Sequence, residues 1–310
     1  MTVGDSTLLR DRQSSPRVSI VMPTYRRAHM IGKTIRSVLD QTYGNFELLV
    51  RDDGSCRETE AVVAAFHDPR IQYHPNGAQL GMPQNLNEGI RIARGEYILV
   101  CHDHDLYDKT MVEKMVRFLD AHPTALFVHA GVAFVDLTGR PTGRQYVMRY
   151  APLTAGKSWL NRMLSRFDCL VCANSMVRRR AYEEHGRYNP DFGFIADVEM
   201  WMRLCCHGDA GYIAEPLISI REREKDHEYS GISWQLVDTI IRIHKLYHDK
   251  VFSGIYGQWR YFRLKVRMDR YLLLLFLSCL KRRDKSGITA GRQYLKESGA
   301  LLSRSLAYLL

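Results

Sequence analysis

A run of five apolar residues, 97–101, is followed by four side chains that can bind ligands or take part in catalysis: His102, Asp103, His104 and Asp105. An apolar run of this length, bounded by Gly95 and a charged cluster, indicates a buried strand. Carboxylates and imidazoles at the end of a strand are side chains that can bind divalent cations. The same residues also fit an ordinary polar loop, and this stretch alone does not separate the two interpretations.

Two other apolar runs, 17–22 and 46–50, lead into residues that can bind ligands: Pro23, Thr24, Tyr25, Asp52 and Asp53. Because the carboxyl ends of parallel strands meet at one edge of a sheet, we expect the three groups to converge. Convergent carboxylates raise one another's pKa unless a cation lies between them. Oxygen ligands favour magnesium or manganese (Mg2+ or Mn2+), and magnesium commonly adds substrate phosphates to one or two carboxylates. The pattern therefore indicates a nucleoside-diphosphate ligand.

Two common nucleotide-binding motifs are absent from the sequence. It contains neither G-x-x-x-x-G-K-[ST] nor a G-x-G-x-x-G after the first apolar run. A P-loop nucleotidase and a dinucleotide-dependent enzyme are disfavoured accordingly. A nucleotidyltransferase is disfavoured as well, since the first loop is not rich in glycine and lysine.

Strand and helix patterns alternate with short connections through the first 130 residues. Helical patterns fall between apolar runs that predict strands at 17–22, 46–50, 71–74, 97–101 and 125–130. This alternation predicts an α/β fold with a mostly parallel central sheet flanked by helices. Further strands are predicted at 170–177 and 212–220, the latter broken at Pro216. The segment between 131 and 170 is either a covering segment or a long connection.

The composition is that of a globular protein with a basic balance. The chain has 310 residues and a formal net charge of +10, which suggests an anionic partner. Its seven cysteines show no zinc-site or disulfide spacing, so we expect free thiols and a reducing cytoplasmic location. Residues 1–16 are polar and predicted to be flexible. No stretch approaches the roughly 20 apolar residues that span a bilayer, so the protein is expected to be soluble or peripheral at the inner face of the membrane.

Four blocks together resemble the family-2 glycosyltransferases of the GT-A fold: VSIVMPTYRR (18–27), FELLVRDDGS (46–55), GMPQNLNEGIRIARGEYILVCHDHDLYDK (81–109) and FIADVEMWMRL (194–204). The resemblance covers roughly 17–228. It implies a GT-A domain over 17–232, with a nucleotide-binding half at about 17–130 and an acceptor half at about 131–232. Residues 233–310 would then form a basic helical C-terminal region.

The resemblance also implies roles for the strand-end residues. Pro23, Thr24 and Tyr25 would hold the nucleotide base, while Asp52 and Asp53 would bind base and ribose. Two further family positions near the nucleotide correspond to Asn85 and Asp103. For Tyr25 the alternative is an aromatic packed on its own helix, and for Asn85 it is a surface amide.

Asp103, His104 and Asp105 match the family's D-x-D element, which holds a metal ion on the diphosphate. Alignment on Leu106 and Tyr107 gives another register, in which Asp105 is the final acid and the two histidines replace acids. Asp105 is therefore the principal predicted metal ligand and Asp103 the second. His227, with Arg223, is predicted to reach the diphosphate and metal, although most of that charged segment also fits a solvated surface. Because imidazoles accept softer ions, the choice between Mn2+ and Mg2+ stays open.

Asp197 matches the family's catalytic base, which would draw a proton from the acceptor hydroxyl during inverting transfer. Ala196 stands where the family usually has a second acid. Asp197 also fits a helix N-cap, and Glu199 is a fallback base that could instead be paired within the helix.

The resemblance thus implies an inverting, metal-dependent transfer from a nucleoside-diphosphate sugar, UDP-linked by preference, to a saccharide or lipid-linked saccharide. Polysaccharide or glycolipid assembly would be its setting. The alternative is a non-catalytic module with a degraded site that binds nucleotide sugars or nucleic acid. A nucleic-acid partner is not expected, because basic and aromatic residues concentrate in the tail rather than on the sheet. The tail itself fits either a subdomain packing its own leucines or a helix resting on an anionic membrane.

Overall fold

The computed structural model describes residues 15–166, 169, 171–222, 234–251 and 254–297. The described residues of 1–156 and 171–223 form one compact unit, here called the α/β unit. Those of 157–170 and 224–310 form a second, here called the helical unit. The predicted boundary at 232 lies outside the described residues, whereas residues 157–166, predicted to belong to the GT-A domain, join the helical unit.

The α/β unit is built on one ten-stranded sheet in the order β3-β2-β1-β4-β9-β6-β10-β5, with β7 beside β6 and β8 beside β10. The strands are β1 (Val18–Thr24), β2 (Phe46–Asp52), β3 (Ile71–Pro75), β4 (Tyr97–Val100), β5 (Leu106–Tyr107), β6 (Ala125–Val135), β7 (Pro141–Tyr146), β8 (Leu153–Thr154), β9 (Met176–Arg178) and β10 (Asp209–Arg221). The predicted α/β fold class, with a central sheet flanked by helices, is confirmed.

The first half of the sheet is parallel. Strand β1 pairs in parallel with both β2 and β4, and β2 pairs with β3. Nearly every residue of β1, β2 and β4 is buried, as expected for strands covered on both faces. The connecting helices are α1 (Ala28–Leu39), α2 (Arg57–Ala64), α3 (Met82–Ile92) and α4 (Met111–Ala121).

The second half of the sheet is more mixed than the sequence suggested. Strand β9 pairs antiparallel with β4 and β6, and β10 runs parallel to β6. Strands β5, β7 and β8 add antiparallel edges. In the first half, helices connect the parallel strands. In the second half, among the strands that the structure describes, only the antiparallel neighbours β6 and β7 are joined by a short connection, and the other antiparallel pairs bring together strands that are distant in the chain.

Three strands differ in extent from their sequence patterns. The strand predicted at 170–177 is shorter in the structure, where β9 begins at Met176. Just before it, Asn174 Oδ1 accepts the His102 amide and the Ser175 hydroxyl donates to the Cys172 carbonyl. Strand β10 continues through Pro216, where its register with β6 shifts, as a proline in a sheet requires. Strand β7 was not predicted, since all six of its residues are exposed and carry no burial pattern.

Two helices and a 3-10 turn complete the α/β unit around the final strand: α6 (Arg179–His185), the 3-10 helix Pro190–Ile195 and α7 (Ala196–Cys205). The helical unit contains α5 (Gly156–Arg166, from Lys157 on), α8 (Trp234–Val251), α9 (Gly254–Arg282) and α10 (Lys285–Glu297). Its core joins Trp234 and Ile241 of α8 to Leu272 and Phe276 of α9 and Leu295 of α10. Within the described part of the chain, no helix has the length and apolar character needed to cross a membrane.

Candidate active site

The carboxyl ends of β1, β2 and β4 meet at one edge of the parallel half-sheet. Thr24 lies opposite Asp52 in the register of β1 and β2. The amide of Cys101, just beyond β4, donates to the carbonyl of Val21 in β1. The polar residues that follow β1, β2 and β4 therefore lie close together, as the pattern of parallel strands predicted.

Asp52 is fully buried and organises the turn after β2. Its Oδ1 accepts the Gly54 amide at 2.9 Å, and its Oδ2 accepts the Cys56 amide at 2.9 Å and the Tyr73 hydroxyl at 2.7 Å. Burial and the neighbouring Asp52 raise the pKa of Tyr73, so this hydroxyl remains a donor. Asp52 thus stabilises the turn after β2, which lines the crevice.

Asp53 fixes the loop that follows β3. Its Oδ1 accepts from Asn76 Nδ2 at 2.8 Å and from the Leu80 amide at 2.7 Å, and its Oδ2 accepts the Gly81 amide at 2.9 Å. Gly81 has φ of +81° immediately before α3, a conformation that favours glycine. The Asp53 carboxylate therefore joins two crevice loops.

Asn85 belongs to the same network and is not a surface amide. It is buried, its Nδ2 donates to the Arg51 carbonyl at 3.0 Å, and its Oδ1 accepts from Asn76 at 2.8 Å. The Arg51 guanidinium also bonds Asn76. Asn76 therefore connects Arg51, Asp53 and Asn85, a link that no sequence pattern indicated.

The residues ending β1 differ in exposure. Thr24 is buried and its carbonyl accepts the Asp53 amide at 2.9 Å, while Pro23 is half-buried. Tyr25 is 37% exposed, with the Arg26 guanidinium 5.2 Å from its ring centre and its hydroxyl 3.4 Å from Gln79 Oε1. Among these three, Tyr25 presents the surface on which a planar base could stack.

Asp105 is the most firmly placed member of the loop after β4. It is buried, its Oδ1 accepts the Arg221 amide at 3.1 Å, and its Oδ2 accepts from Asn174 Nδ2 at 2.9 Å. Burial would raise the pKa of Asp105, but the neighbouring His102 and His104 lower it below its usual range. The carboxylate is therefore held as an anion.

His102 and His104 lie on either side of Asp105. Nδ1 of His102 is 3.7 Å from Oδ2 of Asp105, and Nε2 of His104 is 3.8 Å from Oδ1. The two rings stack with centres 5.6 Å apart. One ligand atom from each of these three residues falls within 4.8 Å of the others, which makes them a group able to hold a metal ion.

Asp103 faces a different set of partners. Its Oδ1 lies 3.0 Å from both Arg27 Nη1 and His104 Nδ1, and Arg27 Nη1 lies 2.7 Å from that same ring nitrogen. Burial would raise the pKa of Asp103, but the His104 hydrogen bond and the Arg27 charge lower it. Its other oxygen, Oδ2, is buried and has no partner at full hydrogen-bonding geometry among the described residues, although the nearby Thr24 hydroxyl also lowers the pKa of Asp103.

Two observations indicate that the loop after β4 is able to hold a divalent cation. The donor set of two imidazoles and a carboxylate suits Mn2+ better than Mg2+, which prefers oxygen ligands. Asp103 Oδ2 is a buried acceptor at the same loop. Asp103 and Arg27 both lie within hydrogen-bond distance of His104 Nδ1, and in the tautomer with a proton on Nδ1 the carboxylate orients the ring as it does in metal-binding histidines.

Several residues that hold this loop were not predicted from the sequence. The Thr34 hydroxyl lies 3.0 and 2.8 Å from the carbonyl oxygens of Asp103 and Asp105. Asn174 Oδ1 accepts the His102 amide at 3.0 Å, and Arg221 Nε donates to the His104 carbonyl at 2.8 Å. These contacts join residues 69 to 117 positions apart in the chain, so local spacing gives no sign of them.

Asp197 stands in the first turn of α7 and is not its N-cap. The helix begins after Ile195, and no side chain caps it. Burial raises the pKa of Asp197, and its backbone hydrogen bonds and the charge of His102 offset only part of that effect. The charges of Asp197 and His102 act on each other, raising the pKa of His102 and lowering that of Asp197.

Glu199 is occupied structurally. It is buried and forms two hydrogen bonds to Arg203, at 3.1 and 3.0 Å. Arg203 in turn donates to the carbonyl of Arg187 at 2.6 Å. Glu199 is therefore paired within its own helix, which was the alternative to its role as a fallback base. His227 and Arg223 lie outside the described residues.

Comparison with known proteins identifies the class to which this fold and site belong. The model of glycosyl transferase family 2 matches residues 19–186, more than half of the chain. The chain belongs to this family of glycosyltransferases.

Individual relatives agree with this assignment. The chain is 25% identical over 234 residues to the putative glycosyltransferase EpsE of Bacillus subtilis, covering 74% of this chain and 81% of the relative. It is 27% identical over 222 residues to an uncharacterized glycosyltransferase of Haemophilus influenzae, covering 67% and 66%. It is 36% identical over 102 residues to UDP-Glc:alpha-D-GlcNAc-diphosphoundecaprenol beta-1,3-glucosyltransferase WfgD of Escherichia coli, covering 33% and 40%.

A solved structure supports the fold. TarS residues 1–349 of S. aureus, in complex with UDP-GlcNAc, superimpose with a TM-score of 0.66 over 90% of this chain and 81% of that chain. The sequence identity is 16%, so the match establishes the GT-A fold.

Proposed function

We propose that this protein transfers a sugar, with inversion, from a UDP-linked donor to a hydroxyl group of a saccharide or lipid-linked saccharide. The observation that carries the proposal is the grouping of His102, His104 and Asp105, whose ligand atoms lie within 4.8 Å of one another. This group lies where three parallel strands end, the usual ligand position in such sheets. Polysaccharide or glycolipid assembly on the cytoplasmic side is the setting we propose.

Two relatives support the donor and acceptor classes. The TarS structure contains UDP-GlcNAc, and the name of WfgD describes a UDP-Glc donor and a diphosphoundecaprenol-linked acceptor. In this chain, Tyr25 would stack on the base, and the loops held by Asp52 and Asp53 would line the base and ribose. Pro23, Thr24 and Asn85 would shape that pocket from the strand ends.

The chemistry needs positive charge at the diphosphate and a base at the acceptor. A divalent cation held by His102, His104 and Asp105 would neutralise charge that develops on the departing nucleotide. Asp103 would orient His104. Asp197 would accept the proton of the acceptor hydroxyl as its oxygen attacks the anomeric carbon, and a single displacement inverts the configuration.

Asp197→Asn tests this assignment directly. Losing a general base should reduce turnover by about 10²–10⁴-fold, while UDP affinity measured by calorimetry stays close to wild type. Since burial raises the pKa of Asp197, wild-type activity should also decline as pH falls through that pKa and the base becomes protonated. Asp191→Asn, at an exposed carboxylate in the preceding 3-10 helix, is the matched control.

Unchanged turnover in Asp197→Asn would remove Asp197 from the mechanism. If wild-type protein binds UDP but releases none from UDP-sugars with Mn2+ and acceptor saccharides, the binding-module alternative would replace transfer.

A further inference from the structure

Helix α9 has one face that closes the core of the helical unit. Leu264, Met268, Leu272, Leu275 and Phe276 are buried on this face, against α8 and α10. With 29 residues, α9 is about 43 Å long.

The opposite face of α9 is also apolar, yet it is exposed. Trp259, Phe262, Val266, Leu274 and Leu277 are between 42% and 58% exposed. They recur at spacings of three, four or eight residues, which keeps them on one side of a helix. Isolated surface apolar residues are ordinary, whereas a row of five along one helix indicates an interaction surface.

All exposed charges on α9 are positive. They belong to Arg263, Lys265, Arg267, Arg270, Lys281 and Arg282. The only acid in the helix sequence, Asp269, is 7% exposed and lies on the core side. The partner of this face is therefore expected to be anionic as well as apolar.

A basic cavity adjoins the same face. It is lined by Arg260, Arg263 and Arg267 of α9, His248 of α8 and Leu164 of α5, with no carboxylate among its lining residues. The three guanidinium groups give the cavity a positive charge that suits a phosphate group. Arg263 and Arg267 belong to both the cavity and the exposed face.

We infer that the exposed face of α9 lies on an anionic lipid bilayer. The apolar row enters the interface, and the arginine-lined cavity receives a lipid phosphate. A helix that combines an apolar row with many bases binds in the plane of the membrane rather than across it. Nucleic acid is a poorer partner, because three of the five residues in the row, Val266, Leu274 and Leu277, offer no ring on which a base can stack. The inference stands on the helical unit and does not depend on the proposed transfer reaction.

Flotation of the full-length protein with vesicles tests the inference. Binding is expected with phosphatidylglycerol–phosphatidylcholine vesicles and not with pure phosphatidylcholine. Each basic residue near an anionic surface contributes about 1 kcal/mol, or about fivefold in affinity. Arg263→Gln combined with Arg267→Gln should therefore weaken binding about 30-fold. Lys109→Gln with Arg117→Gln, at exposed bases of the α/β unit, should bind as the wild type does.

The apolar row is tested separately. Phe262→Ala combined with Leu274→Ala should weaken vesicle binding at least about tenfold, since each side chain loses its burial in the interface. Leu137→Ala with Tyr146→Ala removes comparable exposed apolar surface from the α/β unit and should leave binding unchanged.

Circular dichroism of both α9 variants should match wild type, because the substituted residues are exposed. Equal flotation of the α9 variants and their controls would overturn the inference. So would absence of vesicle binding together with self-association that the Phe262→Ala and Leu274→Ala changes abolish, since that result assigns the face to a second copy of the chain.

Discussion

At the scale of single residues, the motif in the loop after β4 locates the candidate ligands but does not show which of them come together in space. The sequence placed Asp105, Asp103 and two histidines at a strand end, and all four lie there. It left open which of these side chains lie close enough together to bind one ion. The structure groups His102, His104 and Asp105, whereas Asp103 faces Arg27 and His104 Nδ1. Side-chain direction after a strand depends on partners remote in sequence, so spacing alone could not decide this.

The donor set leads to a prediction about metal preference. Because imidazoles bind Mn2+ more readily than Mg2+, Mn2+ should bind the wild-type protein more tightly, measured by electron paramagnetic resonance with Mg2+ as competitor. His104→Ala should weaken Mn2+ binding at least about tenfold, and Asp103→Asn should weaken it about tenfold or more by releasing the His104 ring.

His29→Ala, at an exposed histidine of α1, is the control and should retain wild-type Mn2+ affinity. If Asp103→Asn abolishes Mn2+ binding while His104→Ala leaves it intact, the literal D-x-D register is correct and the histidine group is not.

At the scale of elements, apolar runs gave the parallel half of the sheet with good accuracy. Strands β1, β2 and β4 are buried on both faces, so burial is visible as an unbroken run. The second half was harder, because the exposed β7 carries no apolar pattern and β10 passes through Pro216 at a register shift. Pairing partners in that half are set by tertiary contacts.

Gly95 shows how closely β1 and the start of β4 approach. A Cβ at this position would lie 2.5 Å from the Ser19 amide nitrogen and 2.8 Å from the Val18 carbonyl carbon. Gly95→Ala should therefore destabilise the protein by about 1–3 kcal/mol through displacement of backbone, measured by urea unfolding.

Gly44→Ala is the matched control for this change, since nothing lies within 4 Å of its added Cβ. An equal change of stability in both variants would show that contact between the strands does not explain the requirement for glycine at position 95.

At the scale of the whole molecule, the chain contains two units with separate cores. The core of the α/β unit packs the sheet against α1 and α4, and that of the helical unit joins α8, α9 and α10. The change to long basic helices at Trp234 was visible in the sequence. That residues 157–166 join the helical unit was not, because an amphipathic helix such as α5 does not reveal which core it packs against.

Substitution of one buried phenylalanine in each core separates the contributions of the two cores to vesicle binding and to UDP affinity. Phe276 is fully buried in the helical unit, and Phe127 is fully buried in the α/β unit, 4.9 Å from the Trp201 ring. Phe276→Ala should cost about 3–5 kcal/mol in the unit that contains it and reduce vesicle binding, while UDP affinity measured by calorimetry is retained. Phe127→Ala should have a similar cost but reduce UDP affinity, because it loosens the sheet that carries the strand-end residues. Loss of UDP affinity in Phe276→Ala, equal to that in Phe127→Ala, would show that the two cores support nucleotide binding together.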